Sequence, residues 1–173
     1  MPGAQLIYFH WTPAVITVSS SSRGEPLREP PHVVVNRDGK IAAVGQEAET
    51  AAKAPDMQLI QLPNVATAWQ HQQLAATALS FFWKTVEFRG RSDWTALLAA
   101  LWPALQSYLV IHPAEGAEHG LGEQQAMWLR RAFRHAKPQR TFVWTGNRLD
   151  PTARLADADG RGKWVAGEPR RPV

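Results

Sequence analysis

The sequence predicts an α/β domain: a mixed five-stranded sheet, an antiparallel meander first and parallel strands later, with helices packed on it. Three observations predict it. Pairs of β-rich runs joined by short turns open the chain. A long amphipathic segment occupies its middle. Two short apolar runs then alternate with a further helical segment, as strands covered on both faces do.

Gln5–His10 (QLIYFH) and Ala14–Ser19 (AVITVS) are rich in β-formers and flank Trp11-Thr12-Pro13. Proline cannot donate to a ladder, so those three residues read as a tight turn and the flanking runs as a hairpin. Ser19–Pro31, rich in serine and proline, reads as loop. His32–Asn36 (HVVVN) is a third strand, Asp38-Gly39 turns the chain, and Ile41–Val44 returns beside it. Gln46–Lys53 reads as a short polar helix stopped by Pro55, and Met57–Leu62 as a brief strand.

Trp69–Phe88 reads as one amphipathic helix with Leu74, Ala78, Phe81, Thr85 and Phe88 on a single face. Ser92 or Asp93 caps a second helix that carries Trp94, Leu97, Leu98, Leu101 and Leu105 and is interrupted by Pro103. Ser107–Ile111 (SYLVI) is a buried strand, and His112–Gly122 a glycine-bearing loop. Glu123–Ala136 is helical, with Leu121, Gln125, Trp128, Leu129, Ala132 and Phe133 along one side. Pro138 stops it, and Thr141–Trp144 (TFVW) is the last buried strand. Residues 1–155 therefore form one domain, and residues 156–173 read as a weakly ordered basic tail.

A chain of 173 residues can bury a core without staples. Cysteine is absent, which excludes disulfides and thiolate metal sites. No run approaches the roughly 18–20 apolar residues of a membrane span, and Met1–Gln5 lacks the basic and apolar regions of a signal peptide. A cytoplasmic location is the expectation.

The net charge of +4 is unevenly spread. Residues 1–127 hold 8 Lys/Arg against 11 Asp/Glu, and residues 128–173 hold 11 against 4. Arg130, Arg131, Arg134, Lys137 and Arg140 are therefore candidates for contact with an anionic surface. The plainer reading is a solvated helix end, where cations favour the helix dipole.

Several short pieces resemble the first half of bacterial MreB, the rod shape-determining branch of the actin/Hsp70 superfamily. Glu29-Pro30-Pro31-His32-Val33-Val34-Val35 is similar to the family's EPSVVA strand entry. Ile41–Ala48 (IAAVGQEA) is similar to its VAAVGxxA turn into a helix, and Tyr108–Pro113 (YLVIHP) lies where the family has an apolar strand ending in Val-Pro. The likeness covers about residues 5–155 and implies a ribonuclease H-like, actin-like ATPase subdomain.

The departures bear on activity. The family's first hairpin turn carries an Asp-Leu-Gly-Thr phosphate loop, in which glycine admits phosphate and the acid organises metal. This chain has Phe9-His10-Trp11-Thr12-Pro13 there, with no acid, no glycine and a proline that removes a donor. His10, Trp11 and Thr12 mark a degenerate phosphate-loop position, where Thr12 alone keeps a hydroxyl. The family's Glu-Glu-Pro after the last strand is Thr145-Gly146-Asn147 here. The implied expectation is a domain with no ATP hydrolysis, no cofactor and no metal.

Other constellations add little. His112, Glu115, Glu118 and His119 include zinc-type ligands, but Pro113 and Gly116 deny them helical spacing. Gly120-Leu121-Gly122 has too few glycines for a phosphate fingerprint. Asp157 and Asp159 lack the closing glutamate of an EF-hand. The strands carry no carboxylate cluster for two-metal nuclease chemistry. The sequence thus points to a non-catalytic actin-like domain acting through protein contacts, with an actin-like filament or a second copy as partner, in cell-shape or envelope assembly. The alternative is a binder of nucleic acid or another anionic surface through the basic end.

Overall fold

The computed structural model describes residues 5–20, 25–88, 107–114, 121–133, 140–149 and 162–166. The strands are β1 (Gln5–Trp11), β2 (Ile16–Ser20), β3 (Leu27–Glu29), β4 (His32–Val35), β5 (Ile41–Val44), β6 (Gln58–Gln61), β7 (Ser107–Pro113), β8 (Arg140–Gly146) and β9 (Gly162–Ala166). The helices are α1 (Gln46–Ala51), α2 (Val65–Gln70), α3 (Gln72–Phe88) and α4 (Glu123–Ala132). The helix expected to start at Ser92 or Asp93 lies outside the described residues. No helix among the described residues is long and apolar enough to cross a membrane.

The main sheet has the order β3-β2-β1-β7-β8-β9. Strands β1, β7 and β8 run parallel, while β2, β3 and β9 join antiparallel. This is the mixed, helix-packed sheet that the sequence predicts, with different members. The expected third and fourth strands, β4 and β5, leave it for a second sheet of order β5-β4-β6. The cause is Pro30-Pro31: two successive residues without N–H groups end β3 at Glu29 and free β4 to pair elsewhere. Strand β3 lies in the stretch read as loop, because its Leu-Arg-Glu sequence is short and has no alternation. Strand β9, within the segment 156–173, pairs antiparallel with β8.

Besides their shared core, a side-chain hydrogen bond links the two sheets. The Leu62 N–H donates to the Pro31 carbonyl at 2.8 Å. Pro31 has no N–H to return, so the Leu62 carbonyl would be left without a ladder partner. The Trp11 indole Nε1 donates to it instead, at 2.9 Å. Trp11 is itself buried, at 2% exposure, so the residue that ends β1 is also a clamp on the small sheet.

A second link lies between β3 and α1. Gly45 has φ 67 and ψ −141, which glycine alone adopts without strain. The Gln46 N–H at the start of α1 donates to Glu29 Oε2 at 2.9 Å. Glu29 is buried, and its carboxylate oxygen occupies the space that a Cβ on Gly45 would need. The glutamate of the EPP stretch and the glycine of the IAAVG stretch are thus one structural unit.

Alternation places Phe9 and Trp11 of β1, Leu109 and Ile111 of β7 and Val143 of β8 on the face that meets the helices. Ala75, Ala78, Leu79 and Phe82 of α3 and Leu129 of α4 pack against them. Phe9 meets Phe133 edge-on, with ring centroids 5.0 Å apart. Each such large side chain stabilises the fold by about 1.5–3 kcal/mol on burial.

This buried stripe shares Ala78 with the expected helix face, has Leu74 partly buried against it, and adds Ala75, Leu79 and Phe82. The helix breaks at His71, so α2 and α3 are separate. Apolar residues at Leu79, Phe81, Phe82 and Trp83 leave the sequence periodicity open to either phase. Asn64 caps α2 by accepting the Thr67 N–H at 2.9 Å.

Candidate functional site

In open α/β sheets ligands bind outside the carboxyl ends of the parallel strands. Here those ends are the β1–β2 turn, the end of β7 and the residues that follow β8. Strands β1 and β7 pair in register, with His10 opposite His112.

The β1–β2 turn runs from Thr12 to Val15, slightly later than the expected Trp11–Pro13. The Thr12 hydroxyl donates to the Val15 carbonyl at 2.8 Å and accepts the Val15 N–H at 3.0 Å. The Thr12 N–H also donates to the Val15 carbonyl, at 3.0 Å. The one hydroxyl that the sequence left for a ligand is therefore engaged within its own turn. Trp11 is buried and committed to Leu62. Pro13 has no N–H. Of the degenerate phosphate-loop residues, His10 alone points to the opposite face of the sheet and joins a polar cluster there.

That cluster consists of Tyr8, His10, His112 and the Arg148–Leu149 segment. The sequence placed His112 in a loop, but it lies within β7. Tyr8 stacks on His10 with ring centroids 5.9 Å apart, and the two imidazoles lie 4.9 Å apart. The Tyr8 hydroxyl accepts the Leu149 N–H at 3.2 Å and is hydrogen-bonded to His112 Nδ1.

The electrostatics hold the three rings of the cluster uncharged near neutral pH. Burial pushes the Tyr8 hydroxyl up to about 12, against the Leu149 N–H and the Arg148 charge. Burial pushes His112 down to about 4, aided by His10 and Arg148. His10 is lowered by burial and then by Arg148. At neutral pH, then, both groups are uncharged, and the Tyr8 hydroxyl and His112 Nδ1 share one hydrogen bond. The Gly146 backbone pulls the His112 value upward, yet no acceptor meets Nε2 at hydrogen-bond geometry among the described residues.

General acid–base work near neutral pH needs a group that titrates there, whereas Tyr8 and His112 are held far to either side. No carboxylate occurs on β1, β7 or β8. What Tyr8 does is tie the chain after β8 back to β1 across the sheet. The sequence pattern ends β7 at Ile111 and so misses the pairing of Tyr8 with His112, which the register of β1 and β7 brings together.

The other sequence-derived residues lie apart from this cluster. Arg130 and Arg131 are exposed on the last turn of α4, and Arg140 is exposed at the start of β8. Arg134 and Lys137 lie outside the described residues, as do Glu115, Glu118 and His119. Trp69 and Trp128 are partly buried and meet edge-on at 6.0 Å. Trp69 also lines an open groove of about 830 Å³ with Lys40, Ile41, His71 and Leu74, between the β4–β5 turn and the α2–α3 junction.

No family model and no curated protein matches the sequence. Solved structures do. The chain is similar to MreB5 of Spiroplasma citri bound to AMPPNP, with a TM-score of 0.56 and 15% identity over 81% of this chain. It is similar to the same protein bound to ADP, with a TM-score of 0.50 and 12% identity over 81% of this chain. It spans 38% and 37% of those two chains. Likeness at this identity speaks to architecture, and with the sheet order and the helix-covered face described above it shows that the chain has an MreB-like, actin-type fold.

Proposed function

We propose that this is a non-catalytic actin-like domain that acts by binding protein, in the cytoplasm, within a cell-shape or envelope assembly. The observation that carries the reading is the closed β1–β2 turn. The similar MreB5 structures hold AMPPNP and ADP. A phosphate loop must offer free backbone N–H groups and a carboxylate for the metal. This turn offers Pro13, a Thr12 hydroxyl bonded to Val15, and a neutral His10 turned toward Tyr8. With no carboxylate on the parallel strands, nothing among the described residues organises a metal-bound triphosphate. The scaffold remains, and contact surfaces are what it has to offer: an actin-like filament or a second copy is the partner expected.

Isothermal titration of the full chain with ATP and Mg²⁺ tests the reading, with thermal melting alongside. No heat and no shift in melting temperature are expected. Saturable heat with a rise in melting temperature, or phosphate release above the protein-free rate, would overturn it.

A further inference from the structure

Sheets end in edges, and an edge strand is a template for another chain unless it is protected. Among the described strands the edges are β3, β9, β5 and β6. Strand β3 has three residues, carries Arg28 and Glu29 and is flanked by Pro26 and Pro30. Strand β9 carries Lys163. Strand β5 pairs with β4 through a bulge at Val34/Val35 and is packed by α1 and α3. Strand β6, four residues long, has no charge, adjacent proline, bulge or helix cover of these kinds among the described residues. Its sequence, Gln58-Leu59-Ile60-Gln61, has no charge, no proline and no glycine, and it pairs with β4 without a register shift.

The direction of its backbone groups follows from one bond. Pro31 and Leu62 are opposite each other and hydrogen-bonded, and His32 pairs with Gln61, Val33 with Ile60, and Val34 with Leu59. Bonded and non-bonded pairs alternate in an antiparallel ladder. Ile60 and Leu62 therefore bond inward to β4, and Leu59 and Gln61 direct their N–H and C=O groups to the open edge. Leu59 is also 38% exposed, one of two large exposed hydrophobics among the described residues. Ile60, on the core-facing side, is only partly buried against the main cluster.

We infer that β6 pairs antiparallel with β6 of a second copy of this chain, across a two-fold axis at Ile60. This rests on the reading of the chain as an interaction domain. In that register Leu59 lies opposite Gln61 of the second copy, both with outward-directed backbone groups, so each such pair exchanges both of its bonds. Ile60 lies opposite its own counterpart and completes its burial there. The neighbouring register, centred on Leu59, would set Ile60 against the amide of Gln58 and leave it half covered. A second copy suits the edge because the strand is uncharged and nothing repels its image. The two-fold axis makes the contact closed, which gives dimers and not fibres.

Sedimentation velocity of the full chain over a concentration series up to the millimolar range tests this, with circular dichroism to confirm folding. A monomer–dimer equilibrium is expected. Leu59→Lys/Gln61→Lys sets like charges opposite each other twice and weakens dimerisation about tenfold or more. Leu59→Lys/Gln61→Glu sets opposite charges there and restores it. Both positions are exposed, so both variants fold. A wild-type chain that stays monomeric overturns the inference, whether or not it captures a strand of another protein. So does a dimer indifferent to the like-charge variant, or one that the opposite-charge variant fails to restore. The calorimetric test of nucleotide binding is independent of all these outcomes.

Discussion

Replacing Gly45 by alanine tests how the two MreB-like sequence pieces are joined. The substitution acts twice. At φ 67 and ψ −141 a residue with a Cβ carries backbone strain of about 1–3 kcal/mol. The new Cβ also overlaps Glu29 Oε2, so the carboxylate must leave the Gln46 N–H that it accepts at 2.9 Å. A hydrogen bond to a charged group contributes about 1.5–3 kcal/mol. Gly45→Ala should therefore cost about 2.5–6 kcal/mol, a large share of the roughly 5–15 kcal/mol that holds a domain folded. The two parts separate in a double-mutant cycle. With Glu29→Ala already in place the overlap is gone, and Gly45→Ala should cost only the backbone part, about 1–3 kcal/mol. Urea denaturation of the four proteins gives the coupling, with unchanged m-values confirming a common unfolded state. Equal costs in both backgrounds, within about 0.5 kcal/mol, would refute the argument that Glu29 fills the space beside Gly45.

Two further perturbations probe the sheet itself. His112 has a folded value near 4 against an ordinary 6.5, so the folded state binds its proton less readily than the unfolded one. Its contribution is complete above about pH 6.5 and is lost as the pH falls toward 4, by at most about 3 kcal/mol. Thermal melting from pH 7 to pH 4 should fall steeply for the wild type and less steeply for His112→Gln; parallel curves would remove His112 as the acid-sensitive group. Trp11→Phe leaves the Leu62 carbonyl without a donor and should cost about 1–3 kcal/mol. Pro31→Ala returns an N–H to that carbonyl, so in its background the Trp11→Phe penalty should shrink. An undiminished penalty in chemical denaturation would mean that Trp11 contributes packing alone.

The sequence by itself determined the local elements with strong periodicity or chemistry. The apolar runs SYLVI and TFVW required strands buried on both faces, and β7 and β8 are central parallel strands. The resemblance pieces around Glu29 and Gly45 pointed to the MreB-like fold before any contact was visible. Pro13 and the absence of acid already argued against a phosphate loop.

Partnership was decided only by the tertiary structure. Pro30-Pro31 reads as a loop, yet its missing N–H groups split the strands between two sheets, and one of them creates the vacancy that Trp11 fills. The phase of α3 was open because apolar residues are consecutive in its sequence near Leu79 and Phe82, and the sheet buries Ala75, Ala78, Leu79 and Phe82. Strand β3 is too short and too charged to show periodicity and exists because β2 offers it an edge. The Tyr8–His112 bond spans 104 residues. Local sequence sets which backbone shapes are accessible, whereas a hydrogen bond between distant residues depends on a register that only the assembled sheet defines.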